Sequence, residues 1–214
     1  MLSLLPYATS RRSGLAAALS VVACLGCESA TGSSEAGLGQ LDAGGHEVLI
    51  GQVEDSDVRV GALADGARIR VFLCGGPSSY ASATHWLRAE LDRDGRFRAE
   101  SDVLELSGSI ADGVLEAERV LDGERTVVRA ERVRAGTLAG LYEAKAECGT
   151  VGLIVAHDEP DADPVAQGAC VGGGHLPDQV NPIEPIARDR SGSIAVEVVR
   201  DGAAEPVRVS PATL

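Results

Sequence analysis

Val58-Arg59-Val60-Gly61-Ala62-Leu63-Ala64-Asp65-Gly66-Ala67-Arg68-Ile69-Arg70-Val71-Phe72-Leu73-Cys74 alternates apolar and other residues on both sides of an Asp-Gly pair. Val58, Val60 and Ala62 fall on one face of an extended chain, with Arg59 and Gly61 on the other. Ile69, Val71 and Leu73 repeat the arrangement against Arg68, Arg70 and Phe72. A period of two marks a strand with one buried face. Asp-Gly between two such runs suits a type I′ turn, whose central residues both need positive φ. The stretch reads as a β-hairpin.

The same pattern continues along the chain. Leu104, Leu106 and Gly108 alternate with Glu105 and Ser107, and Val151, Leu153 and Val155 form a further run. Five Asp-Gly pairs punctuate the runs, at Asp65-Gly66, Asp94-Gly95, Asp112-Gly113, Asp122-Gly123 and Asp201-Gly202. Residues 117–134 are as charge-rich as a surface helix, but Asp122-Gly123 and Thr126-Val127-Val128 within them point to a hairpin. Residues 172–186, rich in Gly and Pro, read as a loop crossing the end of the sheet, followed by a last hairpin over 193–209. The fold expected is all-β, an antiparallel meander of about ten to twelve strands. An up-and-down barrel is the first choice for its closure and a two-sheet sandwich the alternative. Lipocalins and avidins share that meander topology, although none of their motifs occurs. Two blocks also resemble each other: Leu49 to Gly76 with Cys74, and Gly140 to Gly172 with Cys170, each three strands ending in a Cys followed by glycine. They suggest a duplicated three-strand unit.

The chain has 214 residues, 44% of them apolar, enough to bury a core. Past residue 23 the aromatics are Phe72, Tyr80, Trp86, Phe97 and Tyr142. So few rings argue against a stacking platform for sugars or single-stranded nucleic acid. A net charge of −13 repels phosphate backbones, so no nucleic-acid partner is expected.

The N-terminus has a different character. Arg11-Arg12 precede an uncharged run over residues 14–23, ten residues long, and small residues and a cysteine follow. That is the layout of an export signal, and the run is too short to span a bilayer, which takes about 20 residues. Val21-Val22-Ala23-Cys24 resembles the lipobox of bacterial lipoproteins, with a branched apolar residue three before the cysteine and a small one just before it. Cys24-Leu25-Gly26-Cys27 fits the pattern at Leu25 and Gly26, which keeps Cys27 as the alternative. Ser10-Arg11-Arg12 is similar to a twin-arginine signal but lacks the aromatic usual two residues after the pair. The lipobox resemblance implies a signal peptide over residues 1–23, acyl chains such as palmitate on Cys24, and a bacterial envelope location with the folded part in the periplasm or at the cell surface. Several acyl chains on one cysteine make attachment effectively permanent. Residues 28–45 (ESATGSSEAGLGQLDAGG) then read as the flexible part of a tether over 24–45, leaving 46–214 as a single β-domain.

Of the three cysteines in that domain, Cys148 and Cys170 fall near the open ends of adjacent strands if the chain turns at Glu159-Pro160-Asp161. Export to an oxidising compartment then predicts a Cys148–Cys170 disulfide, with Cys74 left as a buried thiol. Cys74–Cys170 is the alternative if the two similar blocks abut.

Signs of catalysis are sparse. There is no Gly-x-Ser-x-Gly, and Ser78, Ser79 and Ser82 near His85 read as a solvated loop. The four histidines and the cysteines have no zinc spacing. Glu90-x-Asp92-x-Asp94-Gly95 resembles half of a calcium loop but has Ser101 where the last ligand belongs, so a plain hairpin turn is preferred. No phosphate or dinucleotide fingerprint occurs, and no cofactor is expected. The function read from these features is a lipid-anchored envelope protein whose β-domain binds a small ligand or another envelope protein. Trp86 and Tyr80 are its candidate contacts, and Phe72 and Tyr142 belong to the core. The alternatives are a secreted hydrolase with an unrecognised site and a passive structural lipoprotein. An open polar lumen would favour a luminal ligand; a filled apolar one would leave the outer surface.

Overall fold

The computed structural model describes residues 45–214 apart from 160, 161, 173 and 175. The expected signal peptide, Cys24, Cys27 and the expected tether as far as residue 44 lie outside the described residues.

Eight strands come first: β1 (Glu47–Val53), β2 (Arg59–Ala64), β3 (Arg68–Cys74), β4 (His85–Glu90), β5 (Arg96–Glu100), β6 (Leu104–Ala111), β7 (Val114–Leu121) and β8 (Glu124–Arg132). One helical turn, α1 (Tyr80–Ala83), interrupts the path from β3 to β4. All neighbours pair antiparallel except β4 and β5, and β8 returns to pair with β1. The result is an up-and-down barrel open along one line. Six more strands follow: β9 (Gly140–Ala146), β10 (Gly149–Ala156), β11 (Val165–Val171), β12 (Asp178–Pro182), β13 (Ile194–Arg200) and β14 (Ala203–Pro211). They form a closed antiparallel barrel in which β14 meets β9 at Ser210↔Glu143 and Pro211↔Tyr142.

The all-β meander is present, but among the described residues as fourteen strands in two barrels rather than ten to twelve in one barrel or a sandwich. The turns are local and closure is not: pairing β8 with β1 joins Leu49 to Arg132, far apart in sequence. One strand also replaces an expected loop. Residues 178–182 lie within the Gly/Pro-rich segment, yet Val180 is buried and pairs with Gly168 on one side and Val198 on the other. Residues 178–182 (DQVNP) have one apolar anchor and no alternation, so their extended form comes from their neighbours.

Four of the five Asp-Gly pairs lie at hairpin ends, and Asp94-Gly95 lies between β4 and β5, which do not pair. Asp112-Gly113, Asp122-Gly123 and Asp201-Gly202 have positive φ at both residues (51 to 53° and 78 to 82°), as a type I′ turn requires. At Asp65-Gly66 and Asp94-Gly95 only the glycine does, and the loops are longer. There Asp65 and Asp92 carboxylates accept backbone N–H groups of the turn instead.

Both lumens are filled. Leu49, Val60, Val71, Leu87, Phe97, Leu106, Leu115 and Val128, one from each strand of the first barrel, belong to one apolar cluster. Tyr142, Leu153, Cys170, Val180, Val196 and Val209 do the same in the second. An exception is Arg119, buried near the β7–β8 turn, whose Nε donates to Thr126 Oγ1 at 3.0 Å.

A third apolar cluster joins the barrels. Leu63, Phe72 and Cys74 of the first pack with Leu141, Ile154, Ala169 and Ala212 of the second. β2, β3 and β10 are therefore buried on both faces from Val60, Ile69 and Val151 onward. Alternation alone predicted one wet face for each; the apolar residues Leu63, Phe72 and Ile154 on the other face mark strands covered twice. Gly61 and Gly152 let the sheets approach. A Cβ on Gly152 would lie 2.6 Å from a Phe72 ring carbon and 2.8 Å from one of Trp86. The predicted Cys148–Cys170 disulfide is present, tying the β9–β10 turn to β11, and Cys74 is a buried free thiol.

Two outcomes check this packing. Gly152→Val is expected to cost about 1–3 kcal/mol of unfolding free energy by overpacking the joint. Replacing Cys148 and Cys170 by Ser should cost about 3 kcal/mol, as expected for a loop of this length. Urea denaturation under non-reducing conditions measures both.

Candidate functional site

With both lumens filled, two cavities lie on the seam between the barrels. The first is built around one ion pair. Arg70 stands on the outer face of β3 within an otherwise apolar run, Ile69 to Leu73. Its Nη2 donates to Glu143 Oε2 of β9 at 2.5 Å, and its Nη1 to the Thr213 carbonyl at 2.8 Å. Thr213 N–H in turn donates to Glu143 Oε1 at 3.0 Å, and Ala212 N–H to Leu141 O at 2.9 Å. The residues after β14 are thereby strapped along the seam. The Arg70 guanidinium lies 4.1 Å over the Trp86 ring, which stacks on Phe72 at 4.5 Å. Burial of Glu143 opposes its ionisation, but the Arg70 and Thr213 hydrogen bonds and the Arg70 charge outweigh it and hold the carboxyl below its ordinary range.

A cleft of about 700 Å³ opens beside this joint, lined by Arg68, Arg70, Arg88, Glu90, Glu143 and Lys145 with Ile69, Ala89, Ala144 and Leu214. Arg70 and Arg88 are directly opposite on β3 and β4, a like-charge pairing that is unfavourable unless offset. Glu143 offsets Arg70, while Arg88 is exposed. A second cleft of about 520 Å³ lies where the β8–β9 connection passes the strap, with His46, Arg132, Arg134 and Arg188 around Val48, Leu141, Pro211 and Ala212. Arg132 pairs with Glu47. Arg188 Nε donates to Tyr142 Oη at 2.7 Å, and that hydroxyl donates to Leu138 O at 2.6 Å. Burial raises the Tyr142 pKa, so the phenol is neutral at physiological pH. Seven of the chain's nineteen Lys and Arg line these two clefts, against two of its thirty-two acids. An acidic protein thus carries a basic seam.

The sequence-selected residues sit close to this region and make contacts within the chain. Trp86 is sandwiched between Phe72 and Arg70, and Tyr80 Oη donates across the seam to Asp178 O at 2.5 Å. Neither lines the two clefts. Phe72 and Tyr142 are buried, as read. Ser78 and Ser79 hydroxyls donate to Asp57 at 2.6 and 2.5 Å, and His85 Nε2 lies 3.0 Å from the Ser82 carbonyl, so the loop assembles no serine–histidine pair. The Ser78 and Ser79 hydrogen bonds hold the Asp57 pKa at about 2. Of the calcium candidates, Glu90 is paired in register with Arg68, Asp92 caps its turn, and Asp94 lies 3.7 Å from Arg96. Among the described residues no group of three or more His, Cys, Asp or Glu is placed to hold a metal ion.

Sequence reasoning passed over Arg70, Glu143, Arg88, Arg134 and Arg188, which belong to no motif. The one usable signal was Arg70, a charge inside a strand that is otherwise apolar. No family model, curated protein or solved structure matches the chain.

Breaking the joint tests its weight. Arg70 and Glu143 side chains are 8% and 20% exposed, so Glu143→Gln, which leaves a buried cation without its counter-charge, should cost about 3 kcal/mol at neutral pH. A lowered carboxyl pKa stabilises the fold above the ordinary carboxylate range, and that stability is lost as pH falls through the lowered value. Wild-type stability should therefore fall on acidification, and Glu143→Gln should flatten part of that fall in denaturation curves taken from pH 6 to pH 2. Asp57→Asn should flatten the lowest part, between the ordinary value of 3.8 and about 2.

Proposed function

We propose that this chain is a lipid-anchored binding protein of the bacterial envelope, held by acyl chains on Cys24, or alternatively Cys27, and taking its ligand on the seam between its barrels. The observation that carries the reading is the contrast between two apolar, filled lumens and two clefts on the outer seam that gather seven basic residues. Small-molecule sites are concave, mostly apolar and fitted with a few convergent polar groups, and both clefts have that make-up. The tether over 24–45 would let the body face ligands in the surrounding water while the lipid stays in the membrane. Among the described residues no helix is long and apolar enough to cross a membrane, which is compatible with attachment through the N-terminus.

A duplicated origin fits the same architecture. β1, β2 and β3 pack across the seam against β9, β10 and β11 respectively, and Gly61 and Gly152 hold the same place in the two similar sequence blocks. The seam is then where two copies of one three-strand unit meet, and its clefts are products of their joining.

The anchor is tested by growing an expressing bacterium with an alkynyl palmitate. The chain should take up the label, and Cys24→Ser with Cys27→Ser should abolish it. Labelling that persists in the double variant, or none in the parent, would overturn the anchor. The site is tested by hydrogen exchange after adding a small-molecule extract of the envelope. Protection should appear over residues 88–90 and 132–137. Protection confined to the barrel ends would overturn the seam as the site.

A further inference from the structure

We infer that the smaller cleft binds a small organic anion, with a carboxylate or phosphate head held by Arg134 and Arg188 and an apolar body laid against Val48, Leu141 and Ala212. The inference rests on the seam reading above and names its ligand class.

Charge is the first argument. The chain has a net charge of −13, yet no Asp or Glu lines this cleft. Arg132 is offset by Glu47. Arg134 pairs with no acid among the described residues, and the partner of Arg188 is a phenol. Two positive charges are thus left whole in a concave wall, where surrounding low-dielectric material focuses their field.

Positioning is the second. Tyr142 is 1% exposed and its hydroxyl is fixed by Leu138 O. By accepting from Arg188 Nε it holds the guanidinium without neutralising it. The terminal nitrogens remain for a ligand, and their planar fork suits two-point contact with a carboxylate or phosphate. Tyr142 is therefore a positioning residue.

Shape is the third. A volume of about 520 Å³ falls within the range of small-molecule sites. Val48, Leu141 and Ala212 offer apolar surface that inorganic phosphate would leave uncovered. The larger cleft is less suited to an anion because Glu90 and Glu143 line it and the Arg70 charge is already paired.

The test uses the mature chain, residues 24–214, exported without acylation as the Cys24→Ser, Cys27→Ser variant. Calorimetric titration with octanoate and octyl phosphate should show one site for at least one of them and none for octanol at the same concentrations. Arg134→Gln with Arg188→Gln should weaken binding at least tenfold. Arg125→Gln, which lines neither cleft, should leave it unchanged. Tyr142→Phe should weaken binding severalfold at a temperature where the variant is fully folded by circular dichroism. Phosphatidylglycerol and phosphatidylcholine vesicles separate the sources. Arginine-dependent binding to the former alone assigns the head to a membrane lipid, and binding of the soluble probes without vesicle binding assigns it to a free amphiphile. Absence of binding to every anionic probe, or equal binding by the double arginine variant, would overturn the inference. Neither result bears on acylation of Cys24 or on exchange protection at the seam, so the broader reading would stand or fall separately.

Discussion

Arg70 places a full positive charge between two β-barrels, and the structure around it answers that charge. Taking a guanidinium out of water is costly, and a close counter-charge with hydrogen bonds to the terminal nitrogens offsets much of that cost. Glu143 supplies the charge, the Thr213 carbonyl a second acceptor, and the Trp86 face a third favourable surface. Each contact to Arg70 on β3 comes from a different element: β9, the strap beyond β14, and β4. Apolar packing of Leu63, Phe72, Leu141 and Ile154 would allow the barrels to slide over one another. A buried ion pair does not, because any displacement leaves two charges unmatched. Arg70 and Glu143 thus fix the alignment of the barrels, and the clefts on either side of the strap inherit that alignment.

The filling of both lumens leaves concave space only on the outside of the barrels among the described residues. An eight-stranded barrel is just wide enough for side chains to fill or for one small ligand to occupy, and here every strand of the first barrel sends an apolar side chain inward. The six-stranded barrel is narrower still and is filled in the same way. Concave surface then exists where two convex barrels touch. Basic residues gather there although acids dominate the chain. The seam is the structural joint and, on the function proposed above, the ligand's place, so Glu143 and Tyr142 both pack the joint and shape its clefts.

The tightest parts of the joint depend on residues with little or no side chain. Gly152 brings β10 against Phe72 and Trp86, and Gly61 brings β2 against Leu141 and Ile154. Elsewhere polar side chains cross the seam: Arg59 to Asp158, Tyr80 to the Asp178 carbonyl, and Gln167 to the carbonyls of Asp57 and Cys74. The scarce aromatics Trp86 and Tyr80, singled out as contacts for a partner, are contacts for the other half of the same chain.

By itself the sequence determined what depends on neighbours along the chain. Alternation placed the strands, Asp-Gly placed the hairpin turns, and the approach of Cys148 to Cys170 followed from one turn between adjacent strands. These are local because a strand's face and a turn's φ values are set within a few residues. The division into two barrels, the strand at Val180 and the basic seam came only from tertiary structure. Closure depends on β8 meeting β1 and β14 meeting β9, pairings chosen by packing and not by spacing. The residues of the clefts are likewise scattered: Arg70 and Glu143, or Arg134 and Arg188, belong to no motif, and they line common clefts only when two sheets that each looked half-wet are pressed together.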